Sequence, residues 1–103
     1  MQQGQAEITQ HSNQQYNISG TVDLTTAPEL IRKAVALFKN ADKKINIDLS
    51  QVTSSNSAAL ALILEMLKQA RKNQIELHFE HLPETMLTIA KAYGIDREIR
   101  ELT

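Results

Sequence analysis

The sequence predicts a single α/β domain in which helices pack on a mixed β-sheet of about four to five strands. Two observations carry that expectation. Segments that alternate with the strand period, around Ile18, Ile47 and Leu77, take turns with segments of helical period around Ala34, Ile63 and Ile89, in the order β-β-α-β-α-β-α. No repeat, linker or low-complexity tract divides the 103 residues, so residues 1–103 read as one domain, with the Gln-rich residues 1–6 expected to fray.

Each element has its own local warrant. Residues 7–10 and 16–19 read as strands joined by a turn at 11–14, whose Ser, Asn and Gln side chains suit tight turns, and Gly20 closes the hairpin. Thr25 and Thr26 can cap a helix, Pro28 is tolerated in a first turn, and Glu29 complements the positive end of the dipole. Leu30, Ile31, Ala34, Val35, Leu37 and Phe38 then recur at helical spacing. Ile45, Ile47 and Leu49 share one face of a strand, and the polar residues 50–56 read as a loop. A helix follows over residues 57–72, and a strand over 75–79. A third helix opens at Pro83 and Glu84, carries Met86, Leu87, Ile89, Ala90 and Tyr93, and stops at Gly94. The tail, residues 95–103, is expected to add a strand around Ile99 or a short helix.

Composition removes whole classes of function. Eleven basic and twelve acidic residues leave a net charge of −1, which gives no footprint for wrapping nucleic acid. Cysteine is absent, which excludes disulfides, thiolate metal sites and cysteine nucleophiles. The longest apolar run, residues 58–64, is far shorter than the roughly 20 residues that span a bilayer. The N-terminal residues have neither a basic start nor an apolar stretch, so a cytoplasmic protein is expected, reaching a membrane only through a partner.

Few residues are arranged for chemistry. His78 and His81 flank the end of a strand, where successive side chains point to opposite faces, so a solvated rim is the expectation rather than a metal site. His11 lies in a polar turn. Ser57 has no Gly-x-Ser-x-Gly setting and no histidine placed to serve it, and the three glycines are isolated. Asp23 and Asp48, at strand ends, suit capping or turn roles. Arg32, Lys33, Lys39, Lys43 and Lys44 form a basic stretch without interleaved aromatics, which reads as a solvated face. Lys68, Arg71 and Lys72 suit the negative end of the middle helix. The chain is expected to be neither an enzyme nor the holder of a cofactor.

The middle helix carries the most information. At 100° per residue, Ala59, Leu60, Ile63, Met66, Leu67 and Ala70 form the stripe expected to face the sheet. Ala58, Ala61, Glu65, Lys68, Gln69 and Lys72 fall opposite, with Ser57 and Leu64 on one flank and Leu62, expected to be partly uncovered, on the other. The outward face is therefore small and nearly featureless in its first two turns. Ala there could simply be a good helix former. It could also give a partner close access to the backbone, with Ser57 offering a hydroxyl or carrying a phosphate on the positive helix end.

Residues 47–60, Ile-Asp-Leu-Ser-Gln-Val-Thr-Ser-Ser-Asn-Ser-Ala-Ala-Leu, resemble the signature of STAS domains, the sulfate-transporter and anti-sigma-factor-antagonist modules. In that pattern a strand, Asp-Leu/Phe-Ser and x-Val lead through a short loop to Asp-Ser/Thr-Ser/Gly-Gly-Leu at a helix start. Residues 18–23, Ile-Ser-Gly-Thr-Val-Asp, resemble the family's Leu-x-Gly-x-Leu-Asp strand end, and the order of elements matches from about Tyr16 to Ile99. In the anti-sigma-factor antagonists the hydroxyl after the motif's Asp is phosphorylated by a kinase that is itself the anti-sigma factor. Ser57 is the matching hydroxyl here, while Asn56 replaces the acid and Ala58 and Ala59 replace Ser/Gly and Gly. Residues 87–95, Leu-Thr-Ile-Ala-Lys-Ala-Tyr-Gly-Ile, resemble instead the Leu-Ala-Lys-x-Tyr-x-Leu ending of the small STAS subunit of the Gram-negative lipid-asymmetry system, which binds the ATPase of an ABC transporter. This resemblance implies a non-catalytic partner-binding subunit on the cytoplasmic side of the inner membrane. Its expected contact comprises Ser54, Ser55, Asn56, Ser57, Ala58, Ala61, Leu62 and Glu65.

Overall fold

The computed structural model describes residues 5–97, with backbone alone for Ser54 and Ser55. Seven elements follow in order: β1 (Ala6–Gln10), β2 (Gln15–Val22), α1 (Ala27–Phe38), β3 (Lys44–Ser55), α2 (Ser57–Lys72), β4 (Glu76–Glu80) and α3 (Glu84–Ala92). The strands form one mixed sheet in the order β1-β2-β3-β4. The β1–β2 pair is an antiparallel hairpin, whereas β2–β3 and β3–β4 are parallel. Two successive parallel crossovers that advance in the same direction place α1 and α2 on the same face, given the right-handedness of such connections. The two helices accordingly pack on each other, and α3 packs on α2.

The covered face is apolar and the opposite face polar. Tyr16 pairs with Ile47, and Ile47 with Phe79, in a row that is buried throughout. The next row on the other side, Asn17, Asp48 and Glu80, is only half-buried. Leu30, Ala34 and Phe38 of α1, Ala59, Ile63, Met66 and Ala70 of α2, and Met86 and Ala90 of α3 complete the core. Burial raises the proton affinity of the Tyr16 hydroxyl, with the nearby Asp42 carboxylate adding to it.

The structure corrects the sequence reading in several places. Ala6 is paired with Gly20 in β1, so the strand starts one residue before the expected residue 7. Residues 50–55 are strand rather than loop. The β2–β3 register slips between Asn17 and Ser19 and again between Gly20 and Thr21, and each slip puts an extra residue on β3. Such bulges interrupt the strict alternation by which a strand is recognised. The expected element around Ile99 lies outside the described residues.

Helix ends show why the sequence stops where it does. At the end of α2 the Ile75 amide donates to Ala70 O at 2.8 Å and the Gln74 amide to Arg71 O at 3.1 Å, with Gln74 at φ 59°. At the end of α3 the Ile95 amide donates to Ala90 O at 2.9 Å and the Gly94 amide to Lys91 O at 3.0 Å, with Gly94 at φ 76°. Both are Schellman closures, which turn the chain sharply and fold the next apolar residue back.

Candidate functional site

Three large apolar side chains stand in solvent among the described residues: Leu24 is 82% exposed, Tyr93 66% and Leu64 44%. Single exposed apolar residues are ordinary, but these three come together. With Ser57, Ala61 and Ile95 they line a shallow groove of about 400 Å³ beside the first turns of α2.

The exposure is held in place by polar bonds. After β2, the Asp23 carboxylate accepts from the amides of Thr25 at 2.9 Å and Thr26 at 3.0 Å. The Thr26 hydroxyl donates to Thr21 O at 2.8 Å and accepts from the Asp23 amide at 3.0 Å. Leu24 sits at the tip of this loop. Asp23 thus shapes the turn before α1, and the N-cap Thr26 makes no side-chain cap bond. Tyr93 is the C-cap of α3, presented by the Gly94 turn. Leu64 lies on the flank of α2 that the helical wheel assigns to it.

The residues singled out from sequence divide into four groups. Ser57 and Ala61 are exposed and line the groove. Asn56 is the N-cap of α2, its side-chain oxygen accepting from the Ala58 amide at 2.9 Å, and Glu65 is half-buried and accepts from Gln69 Nε2 at 2.9 Å. Ser54 and Ser55 are the last residues of β3, in register with Thr21 and Val22. Ala58 and Leu62 depart from the expected outward placement, at 6% and 3% exposure, although Ala58 still lines the wall of the groove. The wheel places α2 on a sheet alone, whereas here α1 and α3 both pack against it and cover its flanks. Leu24 was missed because an isolated apolar residue in a loop carries no periodic signal.

The ionisable groups are engaged elsewhere. His11 Nε2 lies 2.6 Å from Asn17 Oδ1, His78 Nε2 2.7 Å from Glu76 Oε2, and His81 Nδ1 2.9 Å from Asp48 Oδ1. His78 holds the exposed Glu76 carboxyl below its usual range, with help from Lys44. Asp48 is lowered first by the Ser50 amide, which donates to it at 2.8 Å, and then by His81. Among the described residues, no three His, Asp or Glu side chains converge as a metal site, and no helix is long and apolar enough to cross a membrane.

Comparison with known proteins agrees with this architecture. A family model described as "Mlab, STAS domain" matches residues 7–102. No curated protein matches the sequence. The anti-sigma factor antagonist SpoIIAA, in its unphosphorylated form, is similar in structure with a TM-score of 0.69 at 11% identity, over 90% of this chain and 84% of that one. A structure described as Mglu is similar with a TM-score of 0.60 at 13% identity. It is matched over 76% of this chain, which spans only 19% of that one. At these identities the two structures speak for the fold.

Proposed function

Because the chain belongs to the STAS domain family, we propose that it is a non-catalytic docking subunit that binds the ATPase of an ABC transporter moving phospholipids between inner and outer membrane. The observation that carries a docking role is the fixed apolar groove formed by Leu24, Leu64 and Tyr93 around Ala61 and Ser57. Such a groove is suited to excluding water from a partner's apolar side chains, with Ser57 supplying a hydroxyl at its rim. The resemblance of residues 87–95 to the transporter-branch ending favours an ATPase as that partner, and Tyr93 belongs to both that ending and the groove. Docking supports transport if the partner's contact is stronger in its assembled, active form than in its inactive one. The protein would then sit at the cytoplasmic face of the inner membrane through its partner, without inserting.

The second reading is an anti-sigma-factor antagonist switched by phosphorylation of Ser57. It is favoured by the fold likeness to SpoIIAA and by the exposure of Ser57 at the first position of α2. A phosphate there would meet the positive helix end and disrupt an apolar contact beside it.

Affinity capture with the tagged chain from its own cells, followed by mass spectrometry, separates the two. An ABC ATPase with its permease is the expected catch. A small histidine-kinase-like ATPase without a permease, together with phosphoserine at position 57, would replace the first reading with the second. Ala61→Arg puts bulk and charge into the groove from an exposed position. It should abolish capture while changing stability by less than about 0.5 kcal/mol. Undiminished capture by a normally stable variant would remove the groove from the interface.

A further inference from the structure

The charge of the chain is sorted along α2. At the end of the molecule opposite the groove, the α1–β3 and α2–β4 connections lie side by side: the Glu76 amide donates to Lys43 O at 2.7 Å and Lys44 is in register with Glu76. This juxtaposition gathers Lys39, Lys43 and Lys44 from one connection with Lys68, Arg71 and Lys72 from the last turns of α2, and all six are exposed. Two carboxylates, Asp42 and Glu76, accompany them in sequence and space. Of the six cations only Lys44 has an acidic partner among the described residues, Glu76 Oε2 at 4.0 Å. A chain whose net charge is −1 therefore carries a local excess of four positive charges here and a negative excess of five elsewhere. Helix-dipole compensation accounts for Arg71 and Lys72. It does not account for Lys43 and Lys44, which lie in the loop and at the start of a strand.

We propose that this basic end rests on an anionic phospholipid surface. The chemistry favours a diffuse lattice of phosphates over a defined ligand or a nucleic acid. Five of the six cations are lysines, which act as hydrated point charges rather than as bidentate forks. No exposed aromatic accompanies them on which a base could stack, Phe38 being buried. No exposed large apolar side chain lies among them to insert, so the contact is electrostatic and sits at headgroup level. The nearest carboxylate on α2, Glu65, is half-buried and accepts from Gln69. The groove occupies the start and middle of α2: Ser57 lies 15 residues, about 22 Å, from Lys72, while Leu64 is one turn, about 6 Å, from Lys68. A partner seated toward Ser57 and a lipid surface at Lys43 and Lys72 can be held at once. The inference stands on charge alone and does not depend on which partner occupies the groove.

Co-sedimentation of the isolated chain with vesicles tests it directly. Binding is expected to phosphatidylglycerol-containing vesicles and not to pure phosphatidylcholine, and to disappear when salt is raised from about 0.05 M to about 0.5 M. The triple variant Lys43→Glu, Lys68→Glu, Lys72→Glu should lower partitioning by about 100-fold or more, since each cation near an anionic surface is worth roughly five-fold. Lys33→Glu, on the first turns of α1, should leave it nearly unchanged. Thermal melting of each variant confirms that a loss is not unfolding. Absence of binding to the anionic vesicles, equal loss in Lys33→Glu, or binding only to single-stranded RNA would each overturn the proposal.

Discussion

The two ends of α2 solve opposite problems. Near its start, Leu24, Leu64 and Tyr93 stand in solvent although apolar, and each is fixed there by a turn or a helix. Near its finish, the exposed side chains are charged, as solvation prefers, and Ile75 and Ala70 are tucked under a Schellman closure. Exposed charge at the second end follows the folding preference, whatever it binds. The first end does not follow it, because nothing in the described fold requires those three side chains to face water. A surface that contradicts the folding preference while being held rigid is what the proposed docking role would require.

The comparison is sharpest between neighbours on α2. Leu62 is 3% exposed and Leu64 44%. Leu62→Ala should cost about 3 kcal/mol, within the range for buried leucines, and lower Tm by roughly 12–24 °C. Leu64→Ala should stay within about 0.5 kcal/mol while weakening partner capture. Comparable losses in the two melts would mean that the groove is part of the core, and the distinction between the ends would collapse.

That pair also marks how far the sequence could be read. The stripe Ala59, Ile63, Met66, Ala70 was legible because one helix on one sheet imposes one periodicity, and the start of α2 was legible because the polar residues 50–56 give way there to an apolar run. Ala58 and Leu62 were misplaced because α1 and α3 also pack on α2, and a single helix's wheel contains no information about those neighbours. The end of β3 was read as loop because bulges and polar residues erase the period of two. In the site, Ser57 and Ala61 were legible as small residues on an outward face. Leu24 was not, since its exposure is decided by the Asp23 and Thr26 hydrogen bonds.

The turns that present the groove can be compared in the same way. Gly20 precedes the Leu24 loop and has φ +94°, and a Cβ there would lie 2.2 Å from Gln5 O. Gly94 presents Tyr93 and has φ +76°, with nothing within 4 Å of an added Cβ. Gly94→Ala should therefore cost only the left-handed backbone penalty, about 1 kcal/mol. Gly20→Ala must also displace the chain entering β1, and should cost about 2 kcal/mol or more. Chemical denaturation of both variants checks the order. Equal losses would show that the chain before β1 yields freely, so that the hairpin does not brace the Leu24 side of the groove.

The smallest effect concerns how β3 is held on its way to α2. Asp48 sits where the register first slips, and its carboxylate is drawn below the usual range mainly by the Ser50 amide, then by His81, while partial burial pulls the other way. A carboxyl whose folded pKa is depressed contributes stability that is fully present above its unfolded pKa, near 3.9. That stability is lost as the pH falls through the lower folded value. Asp48→Asn keeps an acceptor for the Ser50 amide but removes the titration. Its Tm should fall less steeply than that of the parent chain below about pH 4, and differ little near neutrality. His81→Gln should flatten the acid limb less, because the backbone bond is the larger cause. Superimposable acid limbs for the parent and Asp48→Asn would mean that the bulge is held by its backbone pairing and not by this carboxylate. The placement of the groove's helix would then owe nothing to Asp48.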